Sequence, residues 1–417
     1  MPGPLIFDRP KIRIRERELN HLASLLGILI ILGTCYALSR HRKAIRWRIV
    51  AWGLGLQFLI ATFVLRTGAG YWLLDKASGG VVWFLDFSFE GSRFVFGPLG
   101  DPKGNLGMVF AFQVLPLIIY VAAFLAILYY LRILPFLVSL MAKAMFKLMG
   151  TSGAESLEVA ASILIGQVEA PLVIRPYLET LTQSELMTVM TAGMAHIAGS
   201  VLGAYVLFGA HARDLLTAVV MTAPGTMLVS KMLIPETGQP KTAGEVKLTA
   251  EKKYVNVLDA VSHGVTDGLF IALNVGAMLI AFVALIALAN GFLGFGHTNL
   301  HTVFGYLLAP VAWLLGVPWH DAMAVGNLLA TKIVLNEFVA FSMLGPLKGH
   351  IAARSFTIAT YALCGFANFA SIGIQIGGIG TLVPSRRQDL ARLGFWALLG
   401  GTLANYLSAA IVGLFIH

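Results

Sequence analysis

Eight runs of predominantly apolar residues, at 22–39, 49–66, 108–131, 187–208, 215–234, 268–290, 355–383 and 393–416, constrain this chain more than any other feature. A bilayer hydrocarbon core of about 30 Å takes about 20 apolar helical residues to cross. Backbone in lipid must satisfy its own hydrogen bonds, which helices do within one segment. The runs therefore predict an all-α integral membrane protein with eight transmembrane helices. Composition agrees, since 57% of residues are hydrophobic and 12% charged, with a mean hydropathy of +0.79. Soluble domains carry about 25% charge, so a soluble enzyme is excluded. Three further stretches, 67–107, 133–182 and 301–347, are too polar or too interrupted to span and read as interfacial helices and re-entrant hairpins.

The net charge of +9 does not point to nucleic acid, because the basic residues sit in short runs between apolar segments. That is the pattern of membrane topology. With the N-terminus outside, the inward loops hold five Lys/Arg over Arg40–Arg48, three over Arg132–Lys147 and three over 384–392. The outward loops at 209–214 and 291–301 hold one Arg between them. The tail runs against this trend with Arg9, Lys11, Arg13, Arg15 and Arg17, partly offset by Asp8, Glu16 and Glu18. Residues 1–21 lack the apolar core of a cleavable signal peptide. Cys35 and Cys364 lie inside apolar segments and suggest neither a disulfide nor a metal site.

The chain also repeats itself. Phe124 in AAFLAIL corresponds to Phe282 in IAFVALI, and Leu148-Met149-Gly150 to Leu314-Leu315-Gly316. Glu169 in QVEAPLV corresponds to Glu337 in LNEFVAF, Gly193–Ala198 to Gly365–Ala370, and Gly225-Thr226 to Gly401-Thr402. The separations grow slowly through 158, 166, 168, 172 and 176, as small insertions would make them. Each unit holds three spans and one hairpin. Three is odd, so the second copy is inverted relative to the first. Inverted repeats with a solute site between them are the construction of secondary transporters.

The polar groups inside the apolar runs fall at equivalent places. Glu169 and Glu337 are intramembrane carboxylates, each costing roughly 2.5–3.5 kcal/mol to insert. Structural pairing with Arg175 or Lys332 is the competing reading. Gln167 and Asn336 precede them, and Gly166 and Pro171 can break the helix there. Carboxylates accept from hydroxyls and amides pair with amide-like edges, so the set suits a neutral, hydroxyl-rich solute. Asn368 and Ser371, three apart, share a helix face, with Phe366 and Phe369 nearby as stacking rings. His196 occupies in copy one the place of Asn368 in copy two. It reads either as a neutral imidazole donating to a carbonyl or as a titrating group. Phosphate loops, GxSxG and HExxH are absent from the sequence.

At these residues the chain resembles the concentrative nucleoside transporters. Gly166-Gln-Val-Glu-Ala-Pro-Leu-Val-Ile-Arg-Pro-Tyr177 looks like the family's first hairpin, G-Q-T-E-x-P-L-x-x-R-P. Asn336-Glu-Phe-Val-Ala340 looks like its second, and Cys364-Gly-Phe-Ala-Asn-Phe-Ala-Ser-Ile372 like its following broken helix. Phe110–Pro116 and Leu273–Ala281 add support, and the likeness runs from about residue 20 to 416. The resemblance implies a homotrimer in the bacterial inner membrane, with a scaffold part and a transport part that moves like an elevator. It implies that Gln167 and Glu169 contact a nucleobase and that Glu337, Asn368 and Ser371 hold the ribose. Val168, Val201, Asn336 and Phe366 would complete the pocket. No organic cofactor and no nucleic acid partner are implied, only the nucleoside, the lipid and a coupling ion.

Two departures bear on that ion and on the base. The family's Thr between Gln and Glu is Val168 here. Its sodium ligands, an Asn and a Ser side chain with two backbone carbonyls, fall on Ser162 and His196, with Ile165 and Ile197 at the carbonyl positions. Sodium is a hard cation that prefers oxygen, by the logic that governs calcium and magnesium, so H+ is favoured over Na+. The expected organisation is a tail at 1–21, mainly scaffold helices with an interfacial segment at 22–131, and a first transport repeat at 132–234 with its hairpin near 151–182. A loop and scaffold helix at 235–300 and a second repeat at 301–417, with its hairpin near 319–345, complete it. An importer of free nucleobases or another small polar metabolite is the alternative, and a membrane enzyme or solute receptor the reading from another class.

Overall fold

The computed structural model describes residues 9–242, 254–295 and 298–416, with side chains from residue 18 onward. The side chains of the basic tail and part of the 235–300 loop thus lie outside the described residues. The chain begins with α1 (Arg9–Ala37) and α2 (Trp47–Arg66), then the short pair α3 (Gly68–Asp86) and α4 (Ser88–Phe96). There follow α5 (Phe110–Tyr130), α6 (Ile133–Met149), α7 (Gly153–Ser162), α8 (Gln183–Ala195), α9 (Gly199–Leu207) and α10 (Ala212–Leu233). The second half holds α11 (Val257–Gly294), α12 (Leu300–Leu314), α13 (Trp319–Val334), α14 (Glu337–Leu344), α15 (Ala353–Leu363), α16 (Phe369–Leu382) and α17 (Arg387–Phe415).

Among the described residues, 7 helical stretches are long and apolar enough to cross a membrane, the α8–α9 stretch counted as one. The eighth expected span, 355–383, is present as two shorter helices, α15 and α16, separated by 364–368. The span expected at 187–208 is also interrupted, where α8 stops at Ala195 and α9 starts at Gly199. Non-helical backbone at membrane depth is tolerated only when enclosed by protein. Accordingly every residue of α7, nearly all of α8 and α10, and the C-terminal two-thirds of α17 are buried, whereas α11 is largely exposed.

The two repeats share one order of elements. In the first, α6 leads to a hairpin of α7 and a 3-10 segment (Ala170–Thr180), then to the broken span α8–α9 and to α10. In the second, α12 leads to the hairpin α13–α14, the broken span α15–α16 and α17. A sharp bend of 114° separates α12 from α13. Pro171 and Pro176, which supply no backbone donor, lie in the 3-10 limb.

One sequence match differs in register. His196 is the C-cap of α8, whereas Asn368 is the N-cap of α16. The second break is longer than the first, so the two side chains sit at opposite ends of their breaks.

Local chemistry fixes the hairpins. Ser152 and Glu155 form a capping box at the start of α7, and Thr182 and Glu185 do the same for α8. Buried Lys231 of α10 reaches Glu155 at 2.6 Å and Ser184 at 2.9 Å, tying the base of hairpin 1 to both neighbouring helices. On the opposite side, α11 lies against α5 through the buried stripe Ala260, Gly264, Gly268 and Ala272. A Cβ on Gly264 would stand 2.7 Å from the Cα of Ala123, and one on Gly268 2.7 Å from that of Ile119. The two backbones therefore touch, as small residues allow in membrane helices.

Candidate functional site

The polar groups of the hairpins and of α16 converge. Glu337 is the first residue of α14, placed there because Asn336 caps that helix through the Val339 amide at 2.9 Å. Its Oε1 accepts from the Tyr205 hydroxyl at 3.1 Å and its Oε2 from Asn368 Nδ2 at 3.2 Å. Asn368 in turn caps α16, its Oδ1 accepting from the Ser371 amide at 2.9 Å. Ser371 Oγ accepts from Gln167 Nε2 at 3.2 Å, which joins the tip of hairpin 1 to the same network. Gln375 Nε2 continues it, donating to Gln167 Oε1 at 3.3 Å and to the Met190 carbonyl at 3.0 Å.

Tyr205 and Gln375 were not anticipated. Gln375 lies four residues after Ser371, so residues 368, 371 and 375 share one helix face, and that spacing was the available signal. Tyr205 carried none, because a lone aromatic in an apolar helix usually only packs. Here it does both, stacking on Phe341 with ring centroids 4.3 Å apart while its hydroxyl serves Glu337.

Glu169 and Ile165 line a different space. A cavity of about 290 Å³ lies between α5, α11 and hairpin 1, with Tyr129, Ile165, Glu169, Arg175, Ser200 and Asp267 in its wall. Gln167, Glu337, Asn368 and Ser371 are not in that wall and belong instead to the network above. Gly166 gives Glu169 its place, for a Cβ there would stand 2.4 Å from Glu169 Oε2. Val168 is more than one-third exposed and leans on Gly378, where an added Cβ would meet its Cγ1 at 2.9 Å. Phe366 is half-buried, Phe369 is exposed and Val201 is buried.

The four residues expected at the coupling ion lie at the break of α8 and the turn of hairpin 1. Buried His196 places Nδ1 2.9 Å from the Ala192 carbonyl, so Nδ1 carries the proton of the neutral ring. Its Nε2 is buried and has no hydrogen-bond partner among the described residues. Buried Ser162 donates to Glu158 Oε1 at 3.3 Å, and Glu158 Oε2 has no hydrogen-bond partner among the described residues. Glu158 lies in the middle of α7, one turn before Ser162 and outside the apolar run that holds Glu169, so the sequence did not single it out. Ile197 is buried and Ile165 half-buried. Lys332 is not paired with Glu337 at ion-pair distance; its ammonium is held by Ala362 O and Asn405 Oδ1.

Two re-entrant hairpins and two broken spans, closing on a polar network deep among apolar helices, define a secondary transporter of a small polar solute and not an enzyme. Family models agree over most of the chain: "Na+ dependent nucleoside transporter N-terminus" matches residues 26–99, "Nucleoside recognition" 111–212 and "Na+ dependent nucleoside transporter C-terminus" 214–413. The chain belongs to the Na+ dependent nucleoside transporter family, as a multi-pass protein of the plasma membrane. Nucleoside permease NupC of Helicobacter pylori is 39% identical over 95% of this chain and 98% of its own length. An uncharacterized transporter, YutK, of Bacillus subtilis is 45% identical over 95% of this chain and all of its own. Sodium/nucleoside cotransporter 1 of Rattus norvegicus is 41% identical over 95% of this chain but 64% of its own length. The structure of CNTnw in an inward-facing substrate-bound state superposes with a TM-score of 0.90 at 40% identity, covering 94% of this chain and 98% of that one.

Proposed function

We propose that this chain imports nucleosides such as uridine into the cell by cation-coupled symport, working as a homotrimer whose hairpin-bearing part moves like an elevator. The observation that carries the substrate reading is the network of Gln167, Glu337, Asn368 and Ser371, drawn from both hairpins and one broken span. Carboxylate and amide groups at one end suit vicinal hydroxyls, and the amide of Gln167 suits a base edge. The touching backbones of α5 and α11 form a wall suited to a stationary scaffold. Competition by uridine against uracil distinguishes a nucleoside importer from a nucleobase importer. Restoring a hydroxyl by Val168→Thr is expected to reorder the preference among nucleosides more than it changes the overall rate. An equal shift for every nucleoside would remove Val168 from the base pocket.

For the coupling ion the reading is a proton. Among the described residues, His196 Nε2 is an acceptor without a donor, and Glu158 is a fully buried carboxylate with one oxygen unpartnered. An isolated buried charge costs several kcal/mol unless compensated, so Glu158 calls for a cation or a proton. Coupling requires that its affinity differ between loaded and empty, or outward and inward, states. A second reading, sodium, is favoured by the hard oxygen of Glu158 and by relatives named as sodium/nucleoside cotransporters.

Uptake of radiolabelled uridine into proteoliposomes with separately imposed gradients separates the two. Under the proton reading, uptake rises with an inward proton gradient, collapses with a protonophore and ignores replacement of sodium by choline. Ser162→Asn with His196→Ser then confers sodium dependence. Sodium-dependent, pH-insensitive uptake by the unaltered protein would replace the proton with sodium.

A further inference from the structure

The break of α8 and the break of α15–α16 meet, the Phe366 amide donating to the His196 carbonyl at 3.3 Å. Asn405 of α17 bridges them, its Nδ2 donating to Ala195 O at 2.7 Å and to Cys364 O at 3.0 Å. Those two bonds fix the orientation of the amide, so Asn405 Oδ1 must face the other way. It faces Lys332, whose Nζ lies 2.7 Å from Asn405 Oδ1 and 2.9 Å from Ala362 O. Lys332 has no exposed surface at all. Gly365 makes room for the assembly, since a Cβ there would stand 2.4 Å from Asn405 Oδ1 and 2.5 Å from Ala195 O.

The acceptors around the ammonium are therefore oxygens without formal charge. Ala195 and Ala362 belong to the last turns of α8 and α15, where carbonyls lack partners within their own helix and the dipole is negative. Among the described residues no carboxylate lies within ion-pair distance of Lys332, and Glu337 acts on it only through space. Carbonyl and amide oxygens at half-helix ends are what transporters use to hold free monovalent cations. We propose that Lys332 is the tethered cation of such a site: its ammonium neutralises the converging helix ends and so positions Asn368 and Glu337 beside them. Lys332 is then a positioning residue, and the chemical class that fits the site is a small monovalent ammonium.

The test uses the full chain purified in detergent at one fixed pH, where no gradient exists. Lys332→Ala is expected to melt below the unaltered protein and to bind uridine about tenfold or more weakly. Methylammonium chloride, against a choline chloride control, restores both in a saturable manner. Lys332→Met fills the space without the charge, and it is expected to share the defect and ignore methylammonium. Normal melting and binding in Lys332→Met would reduce the residue to packing and overturn the proposal. So would a Lys332→Ala defect that methylammonium does not relieve, failure to recover folded protein in its presence included. The binding arm rests on the nucleoside reading above, whereas the melting arm does not. Rescue of melting without uridine binding by any form would sustain the tethered cation and sink the nucleoside.

Discussion

Glu337→Gln is expected to yield a folded protein that no longer concentrates nucleosides. The geometry explains both halves of that result. A glutamine can keep its oxygen toward Asn368 Nδ2 and turn its amino group toward the Tyr205 hydroxyl, which accepts as well as donates. The internal bonds therefore survive and the fold with them. What is lost is a carboxylate, which when ionised is acceptor-only and able to take hydrogen bonds from a solute on its remaining lone pairs. Hydrogen bonds to a charged group contribute about 1.5–3 kcal/mol, or roughly tenfold to a hundredfold in affinity. Uptake kinetics in proteoliposomes, alongside a melting curve, read the two effects separately. Unchanged uptake would take Glu337 out of the site.

Gly365→Ala is expected to act on the other quantity, lowering stability steeply. The new methyl would lie 2.4 Å from Asn405 Oδ1 and 2.5 Å from the backbone oxygen of Ala195. Neither can retreat, because Asn405 bonds to Lys332 and to both breaks, and Ala195 ends a buried helix. Overpacking of this kind costs about 1–3 kcal/mol and sometimes more. Gly373→Ala supplies the control, since no other element among the described residues comes within 4 Å of a Cβ there and α16 is helical at that point. It is expected to be neutral or to stabilise by up to about 1 kcal/mol. Equal melting temperatures for the two variants would mean that the crossing of the broken spans is more pliant than its distances indicate.

The spans were readable in the sequence because lipid imposes one simple demand, a long apolar run. Hairpin 1 was readable because Gly166 and Pro171 forbid a continuous helix. The breaks were harder. Nothing in Ala195-His196-Ile197-Ala198 is a strong helix breaker, and the interruption depends on contacts with Phe366 and Asn405 far along the chain. The polar network was legible as a candidate where a residue type is costly in a membrane, as for Glu337, Asn368 and Ser371, whereas Glu169, read together with them, lies in the wall of a separate cavity. The network was not legible where the residue type is ordinary, as for Tyr205. Lys332 shows a third case. Its chemistry was evident and its partner was not, because proximity in sequence suggested Glu337 whereas the fold supplies Ala362 and Asn405.

The side chains from Tyr205 to Gln375 satisfy one another in a continuous hydrogen-bonded chain, so under the nucleoside reading binding is partly an exchange. If Gln167 is to take a base edge, as proposed above, its amide gives up Ser371 or Gln375, and there a new bond replaces an old one. The net return on such a swap is small, about 0.5–1.5 kcal/mol per hydrogen bond. An analogue that lacks one hydroxyl still breaks the old bond and leaves a buried group unmatched, at about 1–3 kcal/mol. Such a pocket judges its cargo more strictly than it grips it. A carrier that must let go on the far side of the membrane in every cycle is well served by that imbalance.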